Sequence, residues 1–175
     1  MGRKLHIGGQ VKAAGWEVLD ANPGPIVDHV ANARDLSFFP DQTFERIYAS
    51  HVVEHFDYNG ELLATLTEWH RVLVPAGFLY VSVPDLDILA RLFLDRQSLS
   101  FEDRFLVMRM IFGGHMDKYD YHVVGLNEEF LGHFMRLAGF PYVDRVERFG
   151  MFNDTSNAQV RGVPISLNVV ATKAG

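Results

Sequence analysis

The chain has 175 residues, 48% of them hydrophobic and 22% charged, with a net charge of −6 and no cysteine. This length supports one domain with a substantial core, and the balance argues against disorder. The acidic charge disfavours nucleic acid as main partner, and the missing cysteines exclude disulfides, thiolate zinc sites and cysteine nucleophiles. No apolar run reaches membrane-spanning or signal-peptide length, so a cytoplasmic protein without a membrane partner is expected.

Lys4 to Ile7 predicts a first strand, stopped by Gly8-Gly9. Glu17 to Leu19 predicts a second, followed by Asp20 and the turn-rich Ala21-Asn22-Pro23-Gly24-Pro25. Ile26 to Val30 predicts a short third strand, handing over to the polar stretch Asn32 to Leu36. Arg46 to Ala49 has the low charge of a central strand buried on both faces. It ends at the polar pair Ser50-His51.

Glu61 to Leu73 predicts a helix, because Leu62, Leu66, Trp69 and Leu73 recur at three- and four-residue steps. Pro75-Ala76-Gly77 stops it, and Leu79 to Val83 is the next strand. Asp85 can cap a helix over 86–95, and Ser100 with Asp103 has capping-box spacing for a helix ending at Gly113-Gly114. Asn127 caps a helix over 128–138, with two acids in its first turn. Tyr142 to Arg148 and Ile165 to Thr172 predict two closing strands that pair antiparallel. Alternating strands and helices predict an α/β fold with a mostly parallel sheet covered by helices on both faces. A single domain over 1–175 is expected, with residues 97–125 inserted on the substrate side.

In open α/β sheets, ligands bind outside the carboxyl ends of the strands. Gly8 and Gly9 lie at such an end, where glycine lets the backbone approach a ligand. A plain turn accounts for them nearly as well. Asp20 lies about a dozen residues further on, where a carboxylate can accept two hydrogen bonds from a ribose diol. An amide or carboxylate between Asn32 and Leu36 can read an adenine amino group. His51-x-x-Glu54-His55 matches the inverted zincin pentad, two imidazoles with a glutamate base. The break at Phe56-Asp57-Tyr58-Asn59-Gly60 leaves no room for the long helix that motif needs, and no metal is expected. The loop 113–125 carries His115, Asp117, Asp120, Tyr121 and His122, a density suited to substrate binding or proton transfer. Asn153 to Asn157, between the last two strands, is read as a surface turn in preference to a lining of the same mouth, and Trp16 and Trp69 as core residues.

The stretches IYASHVVEHF and LTEWHRVLVPAGFLYVSVPD, the late helix ending LAGF, and the segments FGGHMDKYDYHVVGLNEEFL and GVPISLNVVATK resemble a class I S-adenosylmethionine-dependent methyltransferase. The resemblance is to a compact, bacterial, type-11-like subgroup and covers nearly the whole chain. It implies a Rossmann-like, seven-stranded sheet, mostly parallel with an antiparallel last strand. It implies S-adenosyl-L-methionine as cofactor and a small-molecule acceptor. By the family pattern, Gly8 and Gly9 approach the methionine end and Asp20 holds the ribose. Asn32, Ala33 and Leu36 flank the adenine, and Ser50 and His51 lie beside the sulfonium. His51 and His122 are the candidate bases. The chain departs from the pattern at Gln10, which replaces a glycine, in a nearly missing first helix, and at Asn32, where aspartate is common. Two other readings stand beside this one: a non-catalytic binding module of the same fold, and a zinc hydrolase through His51, Glu54 and His55.

Overall fold

A computed structural model describes residues 2–116 and 118–175; Asp117 of the predicted loop lies outside them. Among the described residues nine strands form: β1 (Arg3–Ile7), β2 (Glu17–Asp20), β3 (His29–Val30), β4 (Phe44–Ser50), β5 (Leu73–Pro84), β6 (Tyr142–Val146), β7 (Gln159–Val160), β8 (Val163–Pro164) and β9 (Ser166–Thr172). Seven make one sheet in the order β3-β2-β1-β4-β5-β9-β6, while β7 and β8 pair as a small separate hairpin. The pairs from β3 to β5 are parallel. β9 runs antiparallel to both β5 and β6, as the closing strands predict.

Among the described residues four α-helices accompany the sheet: α1 (Glu61–Val72), α2 (Leu86–Leu94), α3 (Phe101–Phe112) and α4 (Glu128–Leu137). Of the predicted apolar stripe, Leu62, Leu66 and Trp69 are buried in α1 together with Val72, while Leu73 is buried as the first residue of β5. Burying a leucine contributes roughly 1.5–3 kcal/mol relative to leaving it exposed. These residues join Leu5, Ile7, Ile47, Ala49, Val81 and Val169 of the strands, and Leu131 and Met135 of α4, in the main core. A smaller core unites Leu89 of α2, Val107 of α3, Val160 and Ile165.

The helix starts follow their caps. Asp85 accepts from the amides of Asp87 and Ile88, Ser100 and Asp103 form the reciprocal capping box, and Asn127 accepts from Phe130 N. Each such cap contributes about 1 kcal/mol. No helix among the described residues is long and apolar enough to cross a membrane.

The residues predicted as a surface turn do something else. Phe152 packs on His6 in a tilted pair with ring centroids 4.2 Å apart, and Phe149 meets Tyr48 at 5.4 Å and Tyr80 at 5.6 Å. Tyr48 donates its hydroxyl proton toward Asp154 at 2.8 Å, and Asn168 donates to the carbonyls of Glu147 and Ser156 at 3.0 Å each. The segment 147–157 therefore lies against the sheet beside Trp16, where the first helix is missing.

Candidate functional site

The strand order reverses between β1 and β4, and that switch point is where open sheets hold ligands. A cavity of about 500 Å³ opens there, lined by β1 and β2 ends, residues 32–34, residues 51–56 and residues 118–123. Its size falls within the range of small-molecule sites, roughly 300–1,000 Å³.

Of the candidate residues, Gly8, Asp20, Asn32, Ala33 and His51 line it. Gly8 has φ +68, and its amide donates to Leu19 O at 2.8 Å, so the chain turns tightly between β1 and β2. Asp20 Oδ1 accepts from the Asn22 amide at 2.8 Å, which fixes the carboxylate and leaves Oδ2 for a ligand. Asn32 Oδ1 accepts from the Arg34 amide at 3.0 Å. That bond orients the carboxamide and leaves its NH₂ group for a ligand.

Four predicted residues stand elsewhere. Gly9 does not line the cavity; a Cβ there would meet the His6 ring at 2.8 Å, so its smallness serves packing. Leu36 is fully buried in the main core. Ser50 turns its hydroxyl to Thr155 Oγ1 at 3.0 Å. His122 lines a separate small cavity of about 10 Å³ with Glu54. Local pattern cannot separate these residues from their cavity-facing neighbours, because strand and turn identity say nothing about what lies opposite.

Sequence reasoning missed Gln10, Asn22, Arg34, Val52, His55 and Phe56 as lining residues. Val52 lies inside the pentad and Phe56 directly follows it, and their apolar character next to a strand end was the available signal.

His51 has φ +55, the left-handed region that costs a non-glycine residue about 1–2 kcal/mol. Its amide donates to Ser82 O at 2.8 Å, which holds the bend at the end of β4. Strained backbone of this kind clusters at ligand-binding and active sites, and His51 shares it with Gln42, Ala76, His115 and Arg161. Ser166 Oγ donates to Thr155 O at 2.7 Å, so its bond with His51 Nε2 at 3.1 Å takes the imidazole proton. The lone pair of His51 therefore sits on Nδ1, 3.6 Å from Glu54 Oε1. Burial pushes the proton affinity of His51 down to about 4. A base that weak at neutral pH is a poor acceptor of a substrate proton.

Glu54 is 1% exposed, and among the described residues neither carboxylate oxygen has a hydrogen-bond partner. Burial pushes its carboxyl up to about 8. His55 Nδ1 donates to Tyr121 O at 3.0 Å, and His122 Nδ1 donates to Met110 O at 3.0 Å. Burial also lowers His122. The pentad forms only a three-residue 3₁₀ turn, Val53–His55, in place of the long helix of a zincin.

Residues 10–81 match the model of a methyltransferase domain family. No curated protein matches the chain significantly in sequence. Solved structures match in fold. A SAM-dependent methyltransferase from Archaeoglobus fulgidus superposes with a TM-score of 0.62 at 14% identity, over 98% of this chain and 86% of its own. An S-adenosylmethionine-dependent methyltransferase from Mesorhizobium loti gives 0.60 at 17% identity, over 98% and 90%. The CurJ carbon methyltransferase gives 0.56 at 14% identity, over 99% and 48%. The chain spans 62%, 48% and 46% of the length of the first matched structures.

Proposed function

From the premise of a class I methyltransferase fold and a methyltransferase-domain match over residues 10–81, we propose that the chain transfers a methyl group from S-adenosylmethionine to a small-molecule acceptor. The observation that carries this reading is the cavity at the switch point, with Asp20 at one strand end and His51 at another. Both the family match and the fold support methyl transfer as the general chemistry.

The residues present fit the cofactor. Asp20 holds one carboxylate oxygen toward the ligand side while Asn22 anchors the other. Two hydroxyls of a ribose suit such an acceptor. Asn32 offers an amide donor, and Leu19, Ala33 and Phe56 offer apolar wall for a base ring. S-adenosylmethionine, when bound, supplies a methyl group already activated by the sulfonium.

The chain then has mainly to align the acceptor and exclude water, and proximity and orientation account for much of such catalysis. Tyr119, Asp120, Tyr121 and Val123 form the wall facing residues 51–56, where an acceptor would lie. An acceptor that needs no strong base suits this site, because His51 is neutral and its basic nitrogen faces Glu54.

The test is calorimetric titration with S-adenosylhomocysteine, followed by a screen of small acceptors for its release from S-adenosylmethionine. One nucleoside per chain and turnover with a small acceptor are expected. No nucleoside binding by the folded protein overturns the reading.

A further inference from the structure

Glu54 and His55 meet His122, which comes from the distant 113–125 loop. Each offers one ligand atom, and the three atoms lie within 4.8 Å of one another. His122 Nε2 stands 3.9 Å from Glu54 Oε1, too far for a hydrogen bond. Two ligands of a tetrahedral zinc ion, each about 2.0–2.1 Å from it, stand roughly 3.4 Å apart. Closing the set asks for movements of about an ångström, within the range of side-chain adjustment on binding.

The proton positions leave the cluster rich in acceptors. A carbonyl only accepts, so Nδ1 of both His55 and His122 carries the proton and Nε2 carries the lone pair. His51 adds a third lone pair, on Nδ1, facing Glu54. Glu54 adds a fully buried carboxylate whose oxygens have no hydrogen-bond partner among the described residues. A buried group of acceptors without a donor calls for a cation or a proton. Histidines that bind metals hold their other ring nitrogen to a carbonyl or carboxylate, as His55 and His122 do.

We infer that Glu54, His55 and His122 bind one divalent transition-metal ion of the zinc type. Two imidazoles and one carboxylate suit such an ion, whereas magnesium and calcium favour all-oxygen sites. This set differs from the zincin pentad. There His51 and His55 would be ligands and Glu54 a base; here Glu54 is a ligand and His122 takes the place of His51. The ion ties the wall at residues 118–123 to the end of β4, where Val123 N already donates to Glu54 O at 2.9 Å.

The experiment uses untagged, chelator-stripped full chain without nucleoside, titrated with Zn²⁺ against a chromophoric chelator. With no cysteine in the chain, binding must come from imidazole and carboxylate. One zinc per chain is expected, with affinity reduced at least about tenfold in Glu54→Gln and in His122→Asn. His133→Asn, an exposed histidine on α4, should bind as wild type does. Cobalt loading of the wild type should give visible absorption bands, which decides the matter if a variant fails to fold. Wild type that takes up no zinc and gives no cobalt bands overturns the inference, as does full binding in both folded variants. Binding lost in His133→Asn but kept in the other two overturns it as well.

Discussion

The indole N–H of Trp69 donates to the carbonyl of Ala33 at 2.8 Å. One residue is fully buried in the last turn of α1, and the other lines the cavity. The bond joins the rigid core to the segment proposed to flank the adenine.

Trp69→Phe keeps most of the apolar volume and removes the donor. The Ala33 carbonyl then loses its partner at the core's edge, at an expected cost of about 1–3 kcal/mol in folding stability. Urea denaturation should show this loss, and titration should show weaker S-adenosylhomocysteine binding. Unchanged nucleoside affinity in a destabilised variant would separate the core role from the cavity role.

Asp20→Ala should weaken S-adenosylhomocysteine binding by about 1.5–3 kcal/mol, the range for hydrogen bonds to a charged group. Its side chain makes one local bond, to Asn22 N, so the melting temperature should move little. Equal affinity in wild type and folded variant would remove Asp20 from the site.

Arg71 gathers Leu36 O, Phe39 O, Glu68 and Asp41 around one guanidinium. The fork holds residues 36–41 against α1 and keeps the arginine's proton more firmly than usual. Arg71→Lys cannot reproduce that planar set of donors. Both Arg71→Lys and Arg71→Met should lose about 1–3 kcal/mol of stability by urea denaturation. Full stability in the lysine variant would show that charge alone suffices.

His6 is buried against Phe152, Trp16 and Tyr48, and its Nδ1 has no hydrogen-bond partner among the described residues. Burial lowers its proton affinity to about 4, against a partial counteraction from Asp154; Lys4 lies over the neighbouring Trp16. The unfolded chain therefore takes up this proton first as pH falls below about 6.5. Stability should drop between about pH 6.5 and pH 4 by up to roughly 3 kcal/mol from this residue, and be unaffected by it above pH 7. Denaturation of wild type and His6→Gln across that range isolates the contribution. Parallel pH curves for the two proteins would exclude it.

Much of the fold was legible in local pattern. The strands of β1, β2, β4 and β9, the stripe of α1 and the caps at Asp85, Ser100 and Asn127 all depend on short-range spacing. Gly8, Asp20, Asn32, Ala33 and His51 reach the cavity because strand ends converge at one place in such a sheet. What was not legible rests on residues far apart in the chain. Nothing near Glu54 announces that His122 will face it, and nothing in Asn153 to Asn157 announces Tyr48. Leu36 and Ser50 differ from their cavity-facing neighbours only by which side of the backbone they occupy.

The cover over His6 and Tyr48 comes from residues more than a hundred positions later, and β5 finds its second neighbour only in β9. Such pairings must close long loops before they gain anything, and contacts of high sequence separation slow folding. A chain still being synthesised, with residues up to about 140 formed, would show the aromatic face of β1 and β4 and the bare edge of β5 to its surroundings. That interval is when this protein is most open to aggregation and to chaperones. Substitutions at Phe149 or Phe152 should therefore reduce the yield of folded protein more than they reduce the stability of the molecules that do fold.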